Sequence, residues 1–205
     1  MPDTRQRILD ASLDLFSQSG YAAVSIRDIC ARVRVREGTI YYHFPNKRAI
    51  AEEILYAFAR AAQEKMAPLE AALQGMDRAP GEGFHRAACD ALLESYFLDD
   101  FCNRVLRFLS MERFHSAEAR ALYDRWMFQE PLAFQERVFS RLLALQAVSG
   151  ADGARLALRF YAPILLYAQR WLFSGALTQE NRERFRAEAG RHIAQFFGEI
   201  GGTRA

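Results

Sequence analysis

Residues 32–50, RVRVREGTIYYHFPNKRAI, leave room for one helix of about two turns and nothing longer. Arg32, Arg34 and Arg36 alternating with Val33 and Val35 imitate a β-strand. That strand would stand isolated between helical segments, and an isolated strand is unstable. A tight turn satisfies the same pattern, with Val33 and Val35 directed into the core and the three arginines outward. Glu37–Phe44 then forms the short helix. It stops at Pro45, because a residue before proline disfavours the α conformation. Its inner residues are Ile40, Tyr41 and Phe44. Asn46 caps a long helix from Lys47 to about Leu73.

The segments before this stretch are helical too. Residues 4–19 carry Ile8, Leu9, Leu15 and Phe16 at helical spacing, with Asp3 or Thr4 as N-cap and Gly20 as the stop. Ser25 followed by Asp28 is close to a capping box, and Ile26, Ile29, Cys30 and Val33 form the stripe of the helix it opens. Past the linker GMDRAPGEG at 75–83, the pattern gives only helices: about 84–97, 101–114, 117–147, 153–174 and 179–198. Pro131 and Pro163 split or kink two of these. Six prolines and twelve glycines among 205 residues are too few to punctuate an all-β fold. The expected class is all-α.

Two short helices joined by a tight turn behind a first helix make a helix-turn-helix. Its second helix enters the DNA major groove. In EGTIYYHF, Gly38 keeps the leading end slim, while Thr39, Tyr42 and His43 offer donors and flat rings to phosphates and thymine methyls. Lys47 opens the next helix, where an ammonium and free N–H groups together suit a phosphate. Charge follows the same division. Residues 1–48 hold eight Lys/Arg and five Asp/Glu, and the remainder nineteen and twenty. Only the N-terminal quarter is basic, as expected if that part alone meets a polyanion.

RILDASLDLF, VSIRDICARV and EGTIYYHFPNKRAI together resemble the N-terminal domain of the TetR family of bacterial transcriptional regulators. Gly38–Phe44 followed by Asn46 and Lys47 is the most diagnostic piece. The resemblance implies a three-helix DNA-binding domain over 1–48 and a helical effector-binding and dimerisation domain over 49–205. It implies a cytoplasmic homodimer on a palindromic double-stranded operator, more often a repressor than an activator. Residue by residue, it gives DNA contact to Arg27, Arg36, Glu37, Gly38, Thr39, Tyr41, Tyr42, His43 and Lys47. The chain departs from the family pattern at Arg34, where glycine is usual in the turn, and at Arg36, where Ser or Thr usually caps the recognition helix.

The C-terminal region holds most of an aromatic surplus of sixteen Phe, eight Tyr and two Trp. Tyr96, Phe108, Met111, Trp126, Met127, Tyr161 and Trp171 are candidates to line a cavity for a bulky apolar or aromatic effector, or a cation held over π faces. The last helix carries Phe185, Ala189, Ile193, Phe196 and Phe197 on one stripe, which packs on its own domain or on a second copy. The resemblance assigns it to the dimer. The cysteines Cys30, Cys89 and Cys102 read as reduced thiols, with a redox pair of Cys89 and Cys102 as the alternative. No secretory signal is legible, and Arg159 and Arg170 interrupt the most apolar run, so no membrane partner is expected. No cofactor, metal or catalytic residue is called for. Two rival readings remain. One is a di-iron carboxylate enzyme built on Glu82–His85 and Glu112–His115, both Glu-x-x-His. The other is a helix-turn-helix protein that has lost operator binding.

Overall fold

The computed structural model describes residues 3–79, 89, 92–175 and 177–201. Among them every regular element is helical, apart from one isolated bridge between Val148 and Gly201. No helix among the described residues is long and apolar enough to cross a membrane. The chain divides into two units, residues 1–64 with 100–123 and residues 65–99 with 124–205.

The first unit contains α1 (Thr4–Ser19), α2 (Ile26–Val33), α3 (Glu37–His43), the leading part of α4 (Lys47–Gln74), α5 (Asp100–Glu112) and α6 (Ala117–Asp124) up to Tyr123. Its core joins Ile8, Leu13 and Phe16 of α1 to Ile29 and Val33 of α2, Ile40 of α3, Phe44, and Ile50, Ile54 and Phe58 of α4. α5 packs along α1: the Phe16 and Phe108 rings stand 5.4 Å apart, and Arg104 pairs with Asp14 at 2.8 Å.

The local signals read from the sequence act as expected. Gly20 ends α1 at φ +80° with its N–H on the Phe16 carbonyl, and a residue with a side chain would be strained there. The Ser25 hydroxyl accepts the Asp28 N–H, while the Asp28 carboxylate accepts the Ser25 N–H at 2.7 Å, so the capping box is complete. These bonds from Ser25 hold the Asp28 carboxyl below its usual range. This contribution is present above the ordinary aspartate pKa and is lost as pH falls through the lowered value. Asn46 accepts the Ala49 N–H at 2.9 Å and so caps α4. α1 differs slightly, since Asp3 is its N-cap without a side-chain bond.

The turn is where this chain strains. Arg34 ends α2 in the left-handed conformation at φ 61° and ψ 50°. A non-glycine residue there costs about 1 kcal/mol or more. Arg34→Gly is therefore expected to raise the melting temperature by roughly 2–4 °C. A lower melting temperature by calorimetry would show that the arginine compensates for its own strain. Val33 is buried, whereas Val35 is only half-buried.

The second unit holds the end of α4, then α7 (Glu130–Ala144), α8 (Gly153–Ala168) and α9 (Gln179–Ile200). Three π-helical turns, Leu93–Phe97, Arg125–Gln129 and Gln169–Phe173, interrupt what the periodicity predicted as continuous helix. The second of these has a legible cause. Pro131 has no N–H to return to the Met127 carbonyl four residues back. The Glu130 N–H reaches the Arg125 carbonyl instead, a five-residue step. The carbonyls of Met127 and Trp126 are taken by side chains: Tyr161 donates to the first at 2.8 Å and Tyr96 to the second. α7 and α8 approach closely at Gly153, where a methyl group would lie 2.1 Å from the Ser140 hydroxyl. The core of this unit is an aromatic cluster in which Phe160 faces Phe139 at 5.5 Å and Phe196 at 5.3 Å.

Candidate nucleic-acid interface

α3 has only seven residues, and its two faces are unlike. Ile40 is fully buried and Phe44 closes the helix against the core. Opposite them, Glu37, Gly38, Tyr41 and Tyr42 are exposed, at helical positions i, i+1, i+4 and i+5. Tyr42 is 85% exposed and Tyr41 50%. The expectation that Tyr41 is an inner residue is thus corrected. A helix of two turns has too narrow a buried stripe for a third large side chain beside Ile40 and Phe44. Thr39 and His43 are half-buried at the margins, and the His43 ring meets Tyr42 edge-on at 5.0 Å.

Nothing inside the protein requires glycine at 38. A methyl group there would meet no atom within 4 Å, and the backbone is not left-handed. The clearance lies on the solvent side of the helix. Arg36 is the N-cap in extended conformation, and its side chain makes no capping bond. The first-turn N–H groups of α3 are therefore not shielded by a cap side chain. Arg34 and Arg36 are both exposed, and neither has an ion-pair partner among the described residues. Arg27, on α2, reaches across to Glu37 at 3.0 Å. With both groups well exposed, the pair contributes little to stability, yet it holds two candidate readers side by side.

Lys47 is placed differently from the expectation. Its ammonium donates to the Tyr21 carbonyl at 2.7 Å and the Val24 carbonyl at 2.6 Å, and it lies 4.0 Å from the centre of the Tyr21 ring. Burial pushes its pKa below the usual lysine value, opposed by the carboxylates of Glu112 and Asp28. Arg7 of α1 caps the end of α2 by donating to the Val33 carbonyl at 2.6 Å. No local pattern points to this contact, because the partner is a backbone atom 26 residues away.

In the second unit Tyr96, Trp126 and Tyr161 do converge, around a cavity of about 30 Å³ completed by residues such as Phe97 and Phe134. A second cavity of about 90 Å³ shares Leu92, Phe134 and Gln135 with it and extends to Leu69, Met76, Cys89 and Phe197. Met127 is buried in the same unit. Phe108 instead belongs to the first unit, against Phe16, and Met111 is on the same helix. Trp171 lies half-buried under the guanidinium groups of Arg170 and Arg184, its indole N–H on Glu188 at 3.0 Å. Phe185, Ala189, Ile193 and Phe196 fill the second unit's own core, with Phe197 half-buried beside them. That corrects their assignment to a dimer surface. The largest apolar side chains of an amphipathic helix are consumed by the nearest core.

Glu82 and His85 lie outside the described residues. Glu112, of the second Glu-x-x-His, accepts the Tyr21 N–H. Among the described residues no group of three His, Cys, Asp or Glu side chains could hold a metal ion. Cys30 and Cys102 are buried and Cys89 is half-buried.

The family model described as bacterial regulatory proteins, tetR family, matches residues 8–54. The regulator UidR of Escherichia coli K12 is 38% identical over 52 residues, 25% of this chain and 26% of that protein. The match therefore spans about a quarter of that relative's length. The A-factor receptor protein of Streptomyces griseus is 25% identical over 168 residues, covering 76% of this chain and 58% of the receptor. Among solved structures, SmeT, the repressor of the Stenotrophomonas maltophilia multidrug efflux pump SmeDEF, shares the fold with a TM-score of 0.65 at 20% identity, over 98% of this chain and 92% of SmeT. SmeT has also been solved as a complex with triclosan.

Proposed function

The chain belongs to the tetR family of bacterial regulatory proteins through its N-terminal domain, and from that premise we propose that it is a DNA-binding transcriptional regulator, a ligand-responsive repressor gripping a palindromic operator as a homodimer. One observation carries the proposal. A seven-residue helix turns two tyrosines, a glycine with open space before it and an uncapped N-terminus toward solvent, framed by the exposed Arg34 and Arg36. Exposed rings on a helix this short serve no core. They suit base edges and thymine methyls. Arg27, Arg36, Glu37, Gly38, Thr39, Tyr41, Tyr42 and His43 form the reading surface. Selection of bound duplexes from a random DNA pool tests it. The expected product is a two-fold symmetric sequence whose binding weakens steeply with salt. Retention of no duplex, even in dilute buffer, overturns the proposal.

One recognition helix reads few bases, so useful specificity needs two. The surface offered to a second copy is the outer face of α8 and α9. Leu158 is 57% exposed and Leu166 64%, with exposed Ala162 between them. α9 exposes the small residues Ala187, Ala194 and Gly198, which let a partner helix approach closely. Leu166→Arg is expected to raise the dimer dissociation constant about tenfold or more, read by sedimentation. The protomer's melting temperature should not change, because the side chain is mostly in water.

The two contiguous cavities suit an apolar, aromatic effector, consistent with triclosan on SmeT. At their present size they admit a fragment, and a larger ligand selects a wider conformation. In that conformation the two recognition helices no longer match half-sites one DNA turn apart, about 34–36 Å. Such a regulator works in the bacterial cytoplasm.

A further inference from the structure

We infer that Lys47 and Glu112 together form a clamp on the loop between α1 and α2, so that Lys47 positions the reading helices instead of binding a DNA phosphate. The inference rests on the operator-binding reading above and names residues that set its geometry.

The clamp closes on Tyr21–Val24 from two sides. From the start of α4, the Lys47 ammonium holds the carbonyls of Tyr21 and Val24 and covers the Tyr21 ring. From the end of α5, the Glu112 carboxylate accepts the Tyr21 N–H at 2.9 Å. Tyr21 is therefore gripped at its carbonyl, its amide and its ring. Its ring also stands 5.4 Å from that of Phe16. Two of the three Lys47 donors are spent inside the protein, at short distances.

Glu112 sits where a carboxylate is least expected. It is the last residue of α5, at the negative end of the helix dipole, and it is only 8% exposed. A buried carboxyl in that position needs a hydrogen-bond partner, and the Tyr21 amide serves.

The loop thus held leads directly into Ser25, the N-cap of α2. From Ser25 the chain runs through α2 and the Arg34 turn to α3, with no residue to spare for slack. Displacing Tyr21–Val24 shifts the frame that aims Tyr42 and His43.

Operator binding by variants, measured against salt concentration, separates a clamp from a phosphate contact. Each phosphate contact contributes about 0.9 to the slope of log affinity against log salt. A clamp residue contributes nothing to it. Lys47→Met is expected to weaken operator binding about tenfold or more with an unchanged slope. Glu112→Ala is expected to weaken it as well. By charge alone, loss of a carboxylate beside DNA strengthens binding, so the two readings predict opposite signs. A slope reduced by about one per protomer in Lys47→Met, or equal or tighter binding by Glu112→Ala, overturns the clamp.

Amide exchange supplies a second readout that needs no DNA. The Tyr21 N–H exchanges slowly in the wild-type chain and faster in Glu112→Ala. Fast exchange in the wild type overturns the clamp even if a variant fails to fold. A wild-type chain that binds no duplex yet protects Tyr21 refutes the operator reading and leaves the clamp standing as a structural device.

Discussion

Tyr42→Ala is expected to abolish most operator affinity while leaving the melting temperature where it was. The ring is 85% exposed, so its removal uncovers no core and opens no cavity. In the proposed complex the same ring would contact DNA, and truncating such a contact costs about 1–3 kcal/mol. A homodimer on a two-fold operator makes that contact twice. At about 1.4 kcal/mol per tenfold change, the pair loses roughly 1.5 to 4 orders of magnitude. His43 loses its edge-on neighbour as well. Titration of wild type and variant against the selected operator, with parallel calorimetry, checks both halves. Unchanged affinity would remove Tyr42 from the reading surface. A lowered melting temperature would place the ring in a packed environment that the fold does not provide.

Phe160→Ala is expected to be the most damaging substitution in the second unit. Phe160 is buried at the meeting of α7, α8 and α9. Its ring faces Phe139, Phe196, Phe197 and His192 at centroid distances of 5.5, 5.3, 6.0 and 6.2 Å. Its backbone is engaged too: the His192 Nε2 lies 2.9 Å from the Phe160 carbonyl, which requires the proton on that nitrogen. Truncating a buried phenylalanine costs about 3–5 kcal/mol through lost burial and the void left behind. In a protein of this size that is a fall of roughly 10 °C in melting temperature. Scanning calorimetry decides, and a fall under about 2 °C would mean that the cluster repacks around the gap.

The sequence was most readable where structure is decided within a few residues. The Ser25–Asp28 box, the Gly20 stop and the Asn46 cap are each set by one side chain meeting a backbone group three or four positions away. All three formed as the pattern implied. The helix-turn-helix was legible for the same reason. Tyr41 was misplaced because seven residues do not sample a helical period often enough to fix an inner face.

Longer-range assignments failed in an orderly way. Hydrophobic spacing in α9 identified which face is apolar, not whose core it fills, and Phe185, Ala189, Ile193 and Phe196 fill their own. The face proposed for a partner sets Leu158 and Leu166 beside small residues that no hydrophobic pattern registers. Composition groups Phe108 with the effector pocket, whereas α5 packs on α1, some ninety residues upstream. Lys47 shows how the fold adds to such a reading. Charge at a helix start suggests an anion, and only the fold reveals that two carbonyls are already there.

The proline at 131 carries a wider consequence. By withholding one amide it leaves α7's opening turn incomplete, and the deficit is made good by phenol groups thirty or more positions away on either side. No isolated fragment of that region can satisfy its own main chain. The second unit should therefore melt in a single cooperative step, and exchange at α7's leading turn should report global unfolding instead of local fraying.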